Sequence, residues 1–128
     1  MANKVTNIGG VLSAVTATIA YTDSSAVTIA TLPANSQIID VNVDVTTAFN
    51  AGTTNTITVG KTGSAAAFVA ATDVGSAGRA SVATTGVYSA WADTGNAEVT
   101  ATATFAQTGT AASAGAARVT IVYKSYAP

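Results

Sequence analysis

A strict two-residue alternation near the middle of the chain constrains the fold more than any other sequence feature. Between positions 39 and 46, apolar side chains alternate with polar ones. The apolar set is Ile39, Val41, Val43 and Val45, and the polar set is Asp40, Asn42, Asp44 and Thr46. A helix would scatter these side chains around its circumference, whereas a strand separates them onto two faces. The segment therefore predicts a β-strand with one apolar face and one solvated face.

The same alternation recurs along most of the chain and predicts an all-β fold. It is clearest around Val15–Tyr21, Val27–Ala30, Ile57–Val59, Val99–Phe105 and Val119–Tyr123, with stretches rich in Gly, Asn, Thr and Ser between the segments. Two stretches are less regular. For Ser64–Gly75, rich in alanine, we expect a single helical turn or a wide loop. For Ala77–Trp91 we expect two short strands around Gly86. Seven to eight strands in 128 residues indicate one antiparallel β-sandwich or barrel.

Composition excludes several classes of chemistry. The chain has no Cys and no His, so disulfides, thiol nucleophiles, histidine acid–base catalysis and Cys/His zinc sites are ruled out. Charged residues make up 9% and the net charge is −1. The chain therefore lacks the excess of basic residues that binding to nucleic acids requires. No apolar run approaches the ~20 residues of a membrane helix. The segment Val11–Ala20 resembles a signal-peptide core, but Ser13, Thr16 and Thr18 interrupt it and it continues into strand-like alternation, so we expect no cleaved signal.

The remaining polar groups give weak signals for catalysis or cofactor binding. Asp40 and Asp44 share one strand face but lie about 13 Å apart at ~3.3 Å per residue, too far for a glycosidase pair. No calcium-loop pattern surrounds the other acidic residues. The five cations are dispersed along the sequence and indicate solubilising or interface charges. We therefore predict no enzyme activity, no cofactor and no metal, and we assign the large side chains Phe49, Phe68, Trp91, Phe105 and Tyr123 to the core.

Two long segments resemble a recurring module of tailed-bacteriophage virion proteins. The first is TIATLPANSQIIDVNVDVTTAFNAGTTNTITVGKTGSAAAFV, with a Pro-containing turn, an AFN-x-G bend and an ITVG strand. The second is AEVTATATFAQTGTAASAGAARVTIVYKSY, with a TATAT strand and a closing ARVTIVY strand. Together they reach from Thr28 to Tyr126. The family that they resemble comprises capsid decoration (cement) proteins and head-fibre bases with a jelly-roll-like β-sandwich.

The resemblance implies a non-enzymatic protein that decorates and cements the surface of a phage capsid. Its implied partners are the major capsid protein and further copies of itself, as a homotrimer, with no nucleic acid and no membrane. It also implies a short extended arm at residues 1–12 that contacts the shell through Val5, Ile8, Val11 and Leu12, followed by a single sandwich domain at residues 13–128. Such a protein is made in the bacterial host cytoplasm and ends in the virion.

Two other functions stay open at this point. A glycan- or receptor-binding module of a head fibre or tail would use Tyr88, Trp91 and the loop Gly109–Gly115. A tail or other assembly subunit would form rings or tubes. The absence of repeats and heptads argues against a long fibre.

Overall fold

The computed structural model describes residues 12–81 and 94–125, which form eight β-strands. In chain order these are β1 (Leu12–Ala20), β2 (Val27–Leu32), β3 (Ser36–Thr47), β4 (Thr54–Lys61), β5 (Ser64–Asp73), β6 (Gly78–Ser81), β7 (Val99–Thr108) and β8 (Ala116–Ser125). In the described ranges, no helix has both the length and the apolar character needed to cross a lipid bilayer.

The strands form two four-stranded antiparallel sheets in a jelly-roll arrangement. Sheet A has the order β1-β8-β3-β6, and sheet B has the order β2-β7-β4-β5. Consecutive strands lie in opposite sheets at every step except β4 to β5, which form a hairpin. Two interlocked Greek keys of this kind define the jelly roll. The predicted all-β sandwich with seven to eight strands is therefore confirmed.

The core lies between the two sheets and is built from alternate residues of each strand, which face inward. Sheet A contributes Val41, Val43, Val119 and Ile121, and sheet B contributes Ile57, Val59, Ala101, Ala103 and Phe105. The alanines at these positions are fully buried, so the core holds few large side chains. Burial of apolar area is the main favourable term in folding, and each large side chain therefore matters.

The alternation of β3 is confirmed with one correction at its start. A β-bulge between Ile38 and Asp40 makes Ile39 an extra residue, because Ile38 pairs with Tyr123 and Asp40 with the adjacent Val122. Ile38 is buried and Ile39 is exposed, so the expectation that Ile39 lies on the apolar face was wrong. An inserted residue reverses the phase of the side chains that follow, which the two-residue pattern alone does not reveal.

The alanine-rich segment after β4 is a strand and neither a helical turn nor a wide loop. β5 spans Ser64–Asp73 and pairs with β4, and its Phe68 and Val69 are both buried. Pairing and burial override the helical propensity of alanine here. Of the two short strands expected in Ala77–Trp91, one is β6, and residues 82–93 lie outside the described ranges.

In the β4–β5 hairpin, the backbone of β5 packs closely against β4 at Gly60. A Cβ at Gly60 would lie 2.2 Å from the carbonyl oxygen of Ser64 and 2.5 Å from the backbone of Ala65. The pairing of β4 with β5 also shifts register on both sides of Val59. Only a residue without a side chain permits this approach.

Phe49 closes the end of the core where β3 leaves sheet A. Its side chain is 1% exposed, and its ring centroid lies 4.5 Å from that of Phe105. A Cβ at Gly115 would lie 2.4 Å from the Phe49 ring, and Gly115 has a φ of 149°. Glycine at position 115 therefore satisfies both the backbone conformation and the space that the ring needs.

We expect Phe49→Ala to lower the free energy of unfolding by about 3–5 kcal/mol, because it removes a buried aromatic ring from a core with few large side chains. Urea denaturation followed by tryptophan fluorescence and circular dichroism measures the change. Gly115→Ala should also destabilise the protein, but by less in the Phe49→Ala background, because the ring that it would strike is gone. Equal effects of Gly115→Ala in both backgrounds would contradict this packing.

Gly60→Ala should cost at least about 2 kcal/mol, because the new methyl group meets backbone that cannot rotate away. The matched control is Gly63→Asn in the same hairpin. Gly63 has a φ of 86° with open space around it, and asparagine tolerates that conformation at ~1 kcal/mol or less. Thermal unfolding of both variants tests this. Similar melting temperatures for the two variants would show that β5 does not lie against Gly60.

Candidate interaction surfaces

The outer face of sheet A carries a cluster of charges centred on Asp44. Asp44 on β3 pairs in register with Arg118 on β8 and with Arg79 on β6. One oxygen of its carboxylate, Oδ2, lies 3.5 Å from a guanidinium nitrogen of Arg118 and 3.8 Å from one of Arg79. The strand register therefore places one carboxylate between two guanidinium groups.

The cluster is open to solvent. The side chains of Arg79 and Arg118 are 70% and 57% exposed, and that of Asp44 is 30% exposed. Both distances exceed the ~2.9 Å of a strong charge-assisted hydrogen bond. Exposed ion pairs of this kind contribute little to folding stability, typically 0–1 kcal/mol. The stability of the sandwich therefore does not account for the presence of these three charges on one face.

Uncharged polar side chains adjoin the cluster in the next row of the sheet. Thr16, Thr120 and Asn42 are aligned across β1, β8 and β3. The hydroxyl oxygens of Thr16 and Thr120 lie 2.9 Å apart and share a hydrogen bond. These three residues and the three charged residues line a shallow concavity of about 350 Å³. Among residues 12–81 and 94–125, no aromatic side chain lines it.

The second candidate surface is the end of the sandwich where β1–β2, β3–β4, β5–β6 and β7–β8 are joined. The β3–β4 loop is held to the β7–β8 loop by Asn50, whose side-chain carbonyl accepts from the backbone N–H groups of Ser113 and Ala114 at 2.8 and 3.0 Å. Its amide also donates to the Ser113 hydroxyl at 3.0 Å. The Gly52 N–H donates to the carbonyl of Thr110 at 2.8 Å. Gly109–Gly115 is therefore braced against its neighbour.

The other connections at this end join the same network. Phe49 N–H donates to the carbonyl of Val74 at 3.1 Å, and Val74 N–H donates to the carbonyl of Asn55 at 3.0 Å. Tyr21 N–H donates to the carbonyl of Gly115 at 3.1 Å. The buried side chain of Asn55 also bonds both backbone groups of Ala51. Because all four connections are linked, this end presents a fixed surface.

The residues predicted to contact a capsid are mostly outside the described ranges. Val5, Ile8 and Val11 lie there, whereas Leu12 is the first residue of β1, pairs with Lys124 and is 57% exposed. Among the predicted core residues, Phe49, Phe68 and Phe105 are buried, and Tyr123 is half-buried against the core. Trp91 and Tyr88, the latter a candidate for glycan binding, also lie outside the described ranges.

The charged cluster was not predicted from the sequence. The five cations are dispersed along the chain, but two of them meet at Asp44 because β6 and β8 flank β3. The solvated face of β3 was the only signal available. In residues 12–81 and 94–125, no three acidic side chains gather into a group that could hold a metal ion.

Two solved structures share this fold over most of the chain. One is from the capsid asymmetric unit of cyanophage Pam1, with 20% sequence identity and a TM-score of 0.70, and covers 98% of this chain and 93% of that chain. The other is from the acidic stable capsid structure of Helicobacter pylori bacteriophage KHP30, with 15% identity and a TM-score of 0.67, covering 89% and 87%. No protein-family model and no curated protein matches the sequence.

We expect Asp44→Asn to change the free energy of unfolding by less than about 1 kcal/mol, because both ion pairs are exposed. The control is Val43→Ala, one residue away on the buried face, which should cost about 2 kcal/mol. Urea titration of the two variants in parallel gives both values. If Asp44→Asn lowered the free energy of unfolding as much as Val43→Ala does, the charged cluster would stabilise the fold.

Proposed function

We propose that the chain is a non-enzymatic structural protein of a phage virion that decorates and cements the capsid surface. The observation that carries the proposal is the likeness to chains from two phage capsid structures over nearly the full length of both partners. Because the match covers 93% and 87% of those chains, the shared unit is the whole jelly roll. A fold alone does not determine function, so the proposal also rests on the surface of this chain.

The surface suits association more than catalysis. The chain carries 9% charged residues and a net charge of −1, so copies repel one another weakly. The concavity at Asp44 is lined by Thr, Asn, Asp and Arg side chains, with no Cys or His in the chain to supply a nucleophile or a proton shuttle. In the part of the chain that the structure describes, the braced loop end and the closely packed core give a rigid unit suited to contact with other subunits.

In the proposed mechanism, the arm of residues 1–12 contacts the shell and the domain of residues 13–128 covers the seam between capsid subunits. Val5, Ile8, Val11 and Leu12 supply apolar contact area, and the exposure of Leu12 at the start of β1 is consistent with this role. Binding to the assembled shell and not to its separated subunits stabilises the shell by mass action. The partner is the major capsid protein, and the protein acts as a homotrimer after synthesis in the host cytoplasm.

The proposal predicts that particles lacking the protein release their DNA at a lower temperature than complete particles. Particles of the encoding phage, with and without the gene, are heated with a DNA-binding dye, and purified protein is added back to the deficient particles. The full-length chain should restore the release temperature. The Val5→Asp/Ile8→Asp variant should not, because charge on the arm opposes apolar contact.

Three outcomes would contradict the proposal. An unchanged release temperature in deficient particles would argue against cementing. Rings or tubes of the purified protein in electron micrographs, or its location in tails, would favour the assembly-subunit function. Glycan-array binding that is lost in Trp91→Ala, with an unchanged circular dichroism spectrum, would favour the receptor-binding function.

A further inference from the structure

The guanidinium groups around Asp44 retain unused hydrogen-bonding capacity. Each arginine has several N–H donors in a planar fork. One nitrogen of each lies near the Asp44 carboxylate, at 3.5 Å for Arg118 and 3.8 Å for Arg79, and the two side chains are 57% and 70% exposed. The exposed remainder of each fork can bind another planar anion, and carboxylates match this geometry.

In the described part of the chain, the outer face of sheet A carries more cationic than acidic side chains, although the chain as a whole has a net negative charge. Arg79, Arg118 and Lys124 project from this face, and Asp40 and Asp44 are its acidic residues. Among residues 12–81 and 94–125, three cations and two carboxylates on this face give one net positive charge, whereas the net charge of the chain is −1. The face therefore favours an acidic partner, and its charge favours one orientation of approach.

The concavity beside the cluster can accept such a group. The hydroxyls of Thr16 and Thr120 and the side chain of Asn42 lie in the row next to the two guanidiniums. They can hydrogen-bond the second oxygen of a carboxylate or the backbone that carries it. The lining residues that the structure describes include no aromatic side chain, so they offer no stacking surface for a sugar.

We propose that this concavity is a recognition site for aspartate or glutamate side chains of a partner protein. The two guanidiniums bind the incoming carboxylate from the solvent side. Asp44 lies between them, and its negative charge weakens their attraction for the incoming carboxylate. The identification of this concavity as a contact with a neighbouring virion subunit rests on the proposed function. Exposed ion pairs are individually weak, so binding is expected to gain strength where many copies engage one assembled surface.

The site is tested with poly-L-glutamate as the probe and the full-length chain, by NMR titration of the backbone amides. We expect shifts centred on Thr16, Asn42, Asp44, Arg79, Arg118 and Thr120, which weaken as salt increases. Arg118→Gln should reduce affinity about fivefold. Its matched control is Lys124→Gln, which removes one cation from the same strand and face but outside the concavity, and should reduce affinity less than about twofold.

Asp44→Asn gives the sharpest result. It removes the resident carboxylate that repels the probe, so it should raise affinity about threefold or more. If the arginines served only to hold Asp44, this variant would leave affinity unchanged, and the proposal would be wrong. Absence of binding by the unmodified chain, or equal losses in Arg118→Gln and Lys124→Gln, would also overturn it. Tighter binding of polygalacturonate, which carries carboxylates on a sugar chain, would assign the site to a glycan.

A second measurement separates this site from the proposed function. The same variants are added to particles that lack the protein, and bound protein is measured by co-sedimentation. Failure of the unmodified chain to bind particles would contradict the capsid role, while the poly-L-glutamate titration still decides the site. Binding of Arg79→Gln/Arg118→Gln as tight as that of the unmodified chain would show that the concavity is not the virion contact.

Discussion

The packing of Phe49 at the end of the core is the interaction on which the rest of the sandwich depends. Its ring meets Phe105 of sheet B, its backbone N–H bonds the connection that leads to β6, and Gly115 lies directly against its face. One residue thus links the β3–β4, β5–β6 and β7–β8 connections. In a core whose inner positions include fully buried alanines, Phe49 has the largest fully buried side chain among the described residues.

The register of β3 determines which of its side chains face the core and which lie on the outer face of sheet A. The bulge at Ile39 lets Ile38 and Val41 both point inward, and it directs Asp40, Asn42 and Asp44 outward together. In a regular strand of this sequence without the bulge, either Ile38 or the run that begins at Val41 would face solvent. Because β8 and β6 pair with β3 directly opposite Asp44, the same register brings Arg118 and Arg79 to one carboxylate.

The sequence was sufficient for the fold class and insufficient for the charged cluster, for one physical reason. Alternation is a local property, so the strands around Val43 and Val119 and their buried faces could be predicted. Strand order is a long-range property, and no local pattern shows that positions 44, 79 and 118 lie in one row. Where tertiary pairing opposed local propensity, as in the alanine-rich β5, or where a bulge interrupted the alternation, as at Ile39, prediction from the sequence was wrong.

In this sandwich, the side chains that stabilise the fold and the side chains that carry charge are separate sets. Apolar burial holds the sandwich, and the exposed ion pairs add little to it. The charges are therefore free to be arranged for contact with a partner. A surface with weak net repulsion allows close approach by any neighbour, but it does not select an orientation. The proposed site on sheet A would supply that orientation, because electrostatic complementarity determines register and specificity more than affinity.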